Sequence, residues 1–210
     1  MKKKDVINKI PIYKLKSAKE LLVYYKNWTS KNQYNKDMVD WEYIAPKNTV
    51  SILKKYTPNK NIKILDAGCG SGLVGIELIK SGYSKIYGVD FSRNMLDLVP
   101  KGVYKNIKIA DLNKPLTFKD QEFDSVLCVG TFTYGHVKPY ALDEFTRITK
   151  KNGLICFTVN EGVYKENGFE KKIKELKSKG SWVIKELFIS DYIKRKNVNS
   201  WTCLAKKIIK

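Results

Sequence analysis

The chain has 210 residues, a length that suits one domain with a sizeable core. Its formal net charge is +19, from 40 Lys and Arg against 21 Asp and Glu, yet arginine occurs only at Arg93, Arg147 and Arg195. Scattered lysines indicate solvated faces that bind polyanions non-specifically, since specific nucleic-acid sites favour arginine. No apolar run reaches the roughly 20 residues of a membrane-spanning helix.

The first 60 residues are polar, rich in aromatic side chains and mainly helical in pattern. Apolar residues recur at helical spacing over residues 17–25, which predicts a helix there. A polar stretch over 29–36 interrupts this pattern, and a second helical pattern covers 38–56. Pro46 is expected to start a new helical segment because proline is tolerated only in the first turn of a helix. We therefore expect a helical cap over residues 1–45.

From residue 62 onward, strand and helix patterns alternate, which is typical of a parallel α/β sheet. The predicted strands are 62–67, 85–90, 106–110, 123–130 and 153–160. The predicted helices are 72–81, 92–99, 137–150 and 166–179. Two closing strands over 182–189 and 201–208 are too close in sequence for a parallel crossover, so we expect an antiparallel hairpin. The prediction is one domain over 1–210, with a doubly wound, seven-stranded, mostly parallel α/β core over 46–210.

The most informative segment covers residues 64–72, where an apolar strand ends in Asp66 and a glycine-rich turn follows. Glycines stand at alternate positions in this turn: Gly68, Gly70 and Gly72. Glycine allows a ligand to approach the backbone, and the helix start after the turn offers free N–H groups. Asp90 ends the next apolar run, where a carboxylate is placed to accept hydrogen bonds from a ribose diol. The dinucleotide-binding spacing G-x-G-x-x-G is not present because Leu73 stands at its third glycine.

The D-x-G-x-G-x-G form resembles motif I of the class I S-adenosylmethionine (SAM) methyltransferases. Further segments are similar to that family in chain order: GVDFS at 88–92, IADL at 109–112, FDSVLC at 123–128 and the helix and turn at 142–153. The resemblance covers roughly residues 40–210. It implies a Rossmann-like methyltransferase fold, SAM as the cofactor and methyl transfer to a nucleophilic N, O or S atom. A tight turn that binds no ligand is the alternative interpretation.

The N-terminal aromatic residues are similar to a narrower subgroup. A Tyr-x-x-Trp…Tyr-x-x-Asp-Met segment occurs in the Williams–Beuren-region methyltransferase-like proteins and in the methyltransferase domain of ovothiol synthases. Its counterparts here are Tyr25, Trp28, Tyr34, Asp37 and Met38. Residues 130–137 are also similar to that subgroup, whereas Lys26 and Asn35 replace its usual acids. This resemblance places a lid over the cofactor.

The resemblance implies a set of cofactor-binding residues. They are Tyr25, Tyr34, Asp66, Gly68, Gly70, Gly72, Asp90, Phe91, Met95, Ala110, Asp111, Leu112 and Val129. Asp66 would fix the glycine loop and reach the SAM ammonium, and Asp90 would bind the ribose hydroxyls. Phe91 and Met95 would pack on the adenine, whose exocyclic amine would donate to Asp111. Asp90 has an alternative role, because an acid at a strand end can also cap the next helix.

Tyr134, His136 and Glu161 follow the fourth and fifth strands, at the edge where open α/β sheets hold ligands. They are the candidate catalytic groups. In-line methyl transfer depends mainly on positioning, and a base is needed only where the nucleophile arrives protonated. His136 fits a helix start equally well, Tyr134 a pocket wall and Glu161 a surface loop. We expect an enclosed acceptor pocket that includes Phe132 and the N-terminal aromatic residues.

The expected methyl acceptor is a small molecule, because the short chain carries no appended recognition segment. Residues 128–131 read CVGT where nucleic-acid amino-methylating enzymes often carry an Asn/Asp-Pro-Pro motif. A methyltransferase acting on RNA or protein remains the alternative, as do a SAM-cleaving enzyme and a SAM-binding regulatory protein. The oligomeric state is left open.

The cysteines and the N-terminus indicate a cytoplasmic protein. Four widely spaced cysteines lie mostly in or beside apolar runs, as reduced core thiols do: Cys69, Cys128, Cys156 and Cys203. The basic first residues lack the apolar core of a secretory signal. A single histidine and no clustered ligands argue against a metal site.

Overall fold

The computed structural model of the chain describes residues 11–15, 17–134 and 137–208. The α-helices of these residues are α1 (Ala18–Trp28), α2 (Gln33–Asp40), α3 (Ala45–Tyr56), α4 (Leu73–Lys80), α5 (Arg93–Leu96), α6 (Ala141–Ile148) and α7 (Phe169–Ser178). The strands are β1 (Lys63–Ala67), β2 (Lys85–Asp90), β3 (Asn106–Ile109), β4 (Phe123–Phe132), β5 (Thr149–Asn160), β6 (Trp182–Ile193) and β7 (Val198–Lys207). Short 3₁₀ turns cover Pro11–Lys14, Ser30–Asn32 and Lys194–Lys196.

All seven strands form one sheet in the order β3-β2-β1-β4-β5-β7-β6. Strands β1 to β5 are parallel, and β7 runs antiparallel between β5 and β6. This confirms the predicted sheet and its C-terminal antiparallel hairpin. Successive strands leave β1 in opposite directions, with β2 on one side and β4 on the other. The carboxyl ends of β1 and β4 therefore flank the crevice where this kind of sheet binds ligands.

The core lies along the central strands, which are buried on both faces as expected for parallel strands covered by helices. Phe132 belongs to this core: it is fully buried and packs against Phe145, Phe157 and Phe169 at ring-centroid distances of 6.1, 5.7 and 4.7 Å. The expectation that Phe132 walls an acceptor pocket is therefore wrong. None of the described helices is both long and apolar enough to cross a bilayer.

The N-terminal cap is more helical than the sequence pattern predicts. Lys31 and Asn32 adopt left-handed conformations that confine the break to 29–32, and α2 then begins at Gln33. The Gln33 side chain donates to Asp37 one turn later at 2.8 Å, a spacing that stabilises a helix. Pro46 lies in the first turn of α3, as expected.

Other element boundaries differ from the prediction by a few residues. Helix α5 ends at Leu96 rather than at residue 99, in line with the tendency of the residue before Pro100 to leave the helical region. Helix α6 begins at Ala141 rather than 137. The closing strands extend towards each other and meet at the 3₁₀ turn, so most of the predicted polar connection is strand.

Candidate functional site

The glycine-rich turn connects β1 to α4 at the carboxyl edge of the sheet. The backbone N–H groups of Gly68 and Cys69 both donate to the carbonyl of Val89, at 2.8 and 2.9 Å, which fixes the turn against β2. Gly68 has a φ of 78°, and a Cβ built on it would lie 2.2 Å from the Thr131 hydroxyl. Only glycine therefore fits between β1 and the end of β4, and the predicted strand–turn–helix is confirmed.

Asp90 hydrogen-bonds the turn before α5 and also faces a cavity, whereas Ser92 is the residue that caps α5. One carboxylate oxygen accepts from the backbone N–H of Gly70 at 2.9 Å, and the other accepts from that of Ser92 at 2.8 Å. Burial raises the pKa of this carboxyl group, and the backbone hydrogen bonds oppose that shift. A carboxylate oxygen has two lone pairs, so each oxygen can accept a further hydrogen bond from a ligand in the cavity.

Asp66 lies behind the turn rather than at the cavity wall. It is fully buried, and the Tyr104 hydroxyl donates to its carboxylate at 2.7 Å. Burial raises the pKa of Asp66 to about 7, and the hydrogen bond from Tyr104 opposes the shift. Tyr104 also packs so closely on Gly75 that a Cβ there would lie 2.5 Å from its ring. No sequence pattern indicated this role of Tyr104.

A cavity of about 1020 Å³ lies above the turn; we call it the cofactor cavity. Most of the residues predicted to bind cofactor line it, namely Tyr25, Tyr34, Gly68, Gly70, Asp90, Phe91, Met95, Asp111, Leu112 and Val129. Asp66, Gly72 and Ala110 do not line it. Gly72 instead precedes the first residue of α4, with a φ of 89°.

Sequence reasoning missed several lining residues: Tyr43, Ser71, Ser92, Asn113, Gly130 and Thr131. Ser71 and Thr131 were detectable in principle, because Ser71 lies in the turn after β1 and Thr131 lies near the carboxyl end of β4, and these two ends meet. Ser71 also connects the turn to the N-terminal cap, since its hydroxyl donates to the Asn35 side-chain oxygen at 2.6 Å. Helix α2 is therefore attached directly to the glycine-rich turn.

A second, smaller cavity lies beside the first and shares four lining residues with it: Tyr25, Tyr34, Tyr43 and Gly130. Its remaining wall includes Tyr13, Trp28, Met38, Trp41, Thr133 and Tyr192. We call it the aromatic cavity. Among the described residues that line it, none carries a formal charge.

Tyr134 and Glu161, the two candidate catalytic residues that the structure describes, line neither cavity. Tyr134 packs against Tyr13 at a ring-centroid distance of 5.1 Å, and burial raises its pKa to about 12, so it is a neutral phenol at neutral pH. Glu161 accepts hydrogen bonds from the backbone and side-chain N–H groups of Asn199 at 3.0 and 3.3 Å. His136 lies outside the described residues.

Comparisons with known proteins identify the family. A family model described as a methyltransferase domain matches residues 65–157. Human methyltransferase-like protein 27 is 33% identical over 169 residues, which cover 77% of this chain and 67% of the human protein. This chain belongs to the class I SAM-dependent methyltransferases.

Two further comparisons agree with that assignment. An uncharacterized protein of Methanocaldococcus jannaschii is 31% identical to this methyltransferase over 68% of the chain, and the match spans 62% of the archaeal protein. The solved structure of magnesium protoporphyrin IX methyltransferase from Synechocystis with bound SAM superimposes with a TM-score of 0.62. That match covers 84% of each chain at 18% sequence identity, so it shows the fold alone.

SAM is the cofactor of this methyltransferase. The described residues fit it chemically. The Asp90 carboxylate faces the cofactor cavity with acceptor sites suited to vicinal hydroxyls, and the apolar side chains of Met95 and Leu112 offer a surface for a flat base. The glycine-rich turn leaves its backbone open to the same cavity.

Proposed function

We propose that this methyltransferase transfers the methyl group of SAM to a nucleophilic N, O or S atom of a small molecule. The observation that carries the proposal is the aromatic cavity beside the cofactor cavity, walled partly by the N-terminal cap. A small recess walled by rings suits a small molecule, whereas a folded polymer needs an open surface. SAM, when bound, supplies an electrophilic methyl group.

In this proposal the chain's residues mainly bind and orient. Asp90 accepts hydrogen bonds from the ribose hydroxyls, and Asp111 accepts from the adenine amine. Phe91 and Met95 pack on the base, and Gly68 to Gly70 pass close to the amino-acid tail. Asp66 acts indirectly, by holding Tyr104 behind the glycine-rich turn. Positioning of this kind supplies much of the acceleration in a displacement reaction.

We also propose that the chain belongs to the subgroup that contains the Williams–Beuren-region proteins, with residues 1–45 as a lid on a single domain. Two residues of the subgroup segment interact directly, since the Trp28 indole N–H donates to Asp37 at 2.5 Å. Tyr25 and Tyr34 of the same segment line the cofactor cavity. The four free, buried cysteines are consistent with the cytoplasmic location that we propose.

The distribution of lysines supports a small molecule over RNA. A basic cleft formed by Lys150, Lys151, Lys185 and Lys206 lies at the amino ends of β4 and β5, at the sheet edge opposite the cofactor cavity. Phosphates bound there would hold a nucleic acid away from the methyl group. These four lysines therefore give no reason to expect RNA at the site of transfer.

The cofactor part of the proposal is tested by Asp90→Ala. Removal of the acceptor for the ribose hydroxyls is expected to cost about 1.5–3 kcal/mol, or roughly a 10- to 150-fold loss of affinity for S-adenosylhomocysteine in calorimetry. Asp97→Ala is the matched control, because Asp97 is an exposed carboxylate just beyond α5 and outside the cavity wall. Circular dichroism must show that both variants fold. Unchanged affinity in Asp90→Ala would remove Asp90 from the site.

The acceptor part is tested by incubation with methyl-labelled SAM and a metabolite extract, followed by identification of the labelled product. A labelled small molecule is expected. Label incorporated into RNA or protein at about physiological salt would favour the polymer alternative.

A further inference from the structure

The aromatic cavity is built from rings that pack on one another. Trp28 contacts Tyr34 and Trp41 at ring-centroid distances of 4.8 and 5.6 Å, and Tyr43 contacts Tyr192 at 5.1 Å. These contacts fix the orientation of the rings. The nearby carboxylate of Asp37 binds the Trp28 indole N–H and is not part of the lining.

The tyrosines of this cavity stay neutral. Burial raises the pKa of the phenols of Tyr13, Tyr25, Tyr34, Tyr43 and Tyr192 well above the usual value. They therefore provide neither a phenolate base nor a negative charge at neutral pH. An acceptor that arrives as a protonated hydroxyl would find no base among them.

The same lining discriminates against anions. A buried anion needs a charged or well-aligned donor partner, and no lining residue of the aromatic cavity is cationic. Lys196, which is not part of the lining, places its ammonium group 4.7 Å from the ring centroid of Trp41, so the other rings offer the faces that no cation of the described residues contacts in this way. The faces of Trp and Tyr rings carry partial negative charge and attract cations, and desolvation strengthens this attraction. The cavity is therefore better suited to a positive charge than to a negative one.

Gly130 brings this lining next to the cofactor cavity. It lines both cavities and has a φ of 85° within an irregular segment of β4. A Cβ built on Gly130 would lie 2.4 Å from the Tyr43 hydroxyl and 3.3 Å from that of Tyr192. Two phenols thus close directly on the end of β4, at the boundary between the cavities.

We infer that the methyl acceptor is a compact amine without acidic groups, whose nitrogen becomes cationic on methylation and is held by the rings of the aromatic cavity. This inference rests on the proposed function. The nitrogen lone pair forms the new N–C bond while the S–C bond breaks and its electron pair stays on sulfur, so the positive charge moves from sulfur to nitrogen. An aliphatic amine is protonated in neutral water, so it first gives this proton to water and enters the cavity as the free base. A tertiary amine then becomes a quaternary ammonium ion, and a secondary amine becomes a tertiary ammonium ion that keeps its N–H proton.

The test uses three probes of similar shape that differ in charge: choline, its neutral isostere 3,3-dimethylbutan-1-ol and the anion 3,3-dimethylbutanoate. Calorimetry on the full chain, saturated with S-adenosylhomocysteine, should give choline at least about tenfold tighter binding than the alcohol, with the anion weakest. Trp41→Leu should abolish most of the preference for choline. Trp201→Phe is the control, because Trp201 stacks on Tyr164 and does not line the cavity.

The outcomes separate this inference from the proposed function. Failure to bind S-adenosylhomocysteine would refute the proposed function itself. Normal binding of S-adenosylhomocysteine, combined with equal affinities for choline and the alcohol, would overturn the amine inference alone. Tightest binding of the anion would overturn it as well. If Trp41→Leu fails to fold, Trp41→Phe replaces it and should keep part of the preference for choline over the alcohol. Tyr192→Leu should also weaken that preference, and an unchanged preference would count against the aromatic cavity as the binding site.

Discussion

Replacement of Asp66 by asparagine should change how stability depends on pH. The folded pKa of Asp66, about 7, lies above the ordinary value of 3.8 because burial disfavours the carboxylate. The folded state therefore holds the proton more tightly than the unfolded chain does. This stabilisation is complete below about pH 4 and is lost as the pH rises through about 7. Asparagine does not titrate, so the stability of the variant does not fall in this way as the pH rises.

The magnitude follows from the difference between the two pKa values. A gap of about 3 units corresponds to about 4 kcal/mol in total, of which about 2–3 kcal/mol is lost between pH 5 and pH 8. The stability of Asp66→Asn minus that of the parent chain should rise by this amount over that range. The Asp90 carboxylate raises the pKa of Asp66, so the difference reports these two coupled groups together, whereas distant groups titrate alike in both proteins. The asparagine oxygen can still accept the hydrogen bond from Tyr104.

Urea unfolding followed by tryptophan fluorescence at pH 5, 6, 7 and 8 measures this difference. Tyr104→Phe is the companion variant, because the Tyr104 hydroxyl lowers the pKa of Asp66. Its removal should shift the loss of stability to higher pH. A difference between Asp66→Asn and the parent chain that stays constant from pH 5 to pH 8 would refute the reasoning.

Three further perturbations test other parts of the structure. Gly130→Ala should destabilise the fold by about 1–3 kcal/mol, because the new Cβ meets the Tyr43 hydroxyl at 2.4 Å and a φ of 85° strains alanine. In thermal unfolding, the additional substitution Tyr43→Phe should restore part of the lost stability, and no restoration would contradict the steric explanation. Backbone amides of residues 20–38 should exchange more slowly when S-adenosylhomocysteine binds, since a lid orders over its ligand, and equal exchange in both states would argue for a permanently docked cap. RNA should bind weakly, with a steep salt dependence and no sequence preference in a filter-binding titration, because scattered lysines contact only phosphates; tight binding at about 150 mM salt would contradict this.

Local sequence signals were sufficient for the glycine-rich turn and the acid that follows β2. Strand hydrophobicity, glycine spacing and the position of Asp90 all act within one β–turn–α unit, and the structure places them as expected. A local hydrogen-bonding role for Asp90 was also open to sequence reasoning, and the structure shows it: the carboxylate accepts from the backbone N–H groups of Gly70 and Ser92.

The candidates for the acceptor side depended on packing that no local pattern encodes. An irregular register in β4 between Cys128 and Phe132 turns Phe132 into the core. Glu161 is turned towards β7, where Asn199 engages its carboxylate. Residues just after a strand were expected to point into the crevice. Phe132 and Glu161 do not, because each contacts a segment that is distant in the chain.

The sequence by itself determined the alternating strands and helices, the antiparallel hairpin and the glycine-rich turn, because periodicity and turn chemistry are set by neighbouring residues. Only the tertiary structure decided which side chains from distant segments meet at the carboxyl edge of the sheet. Tyr43 packs on Tyr192, and Tyr104 binds Asp66, although each pair is far apart in the chain. Contacts of this kind depend on how helices and strands dock on the sheet, and docking is decided by the shape of the whole core.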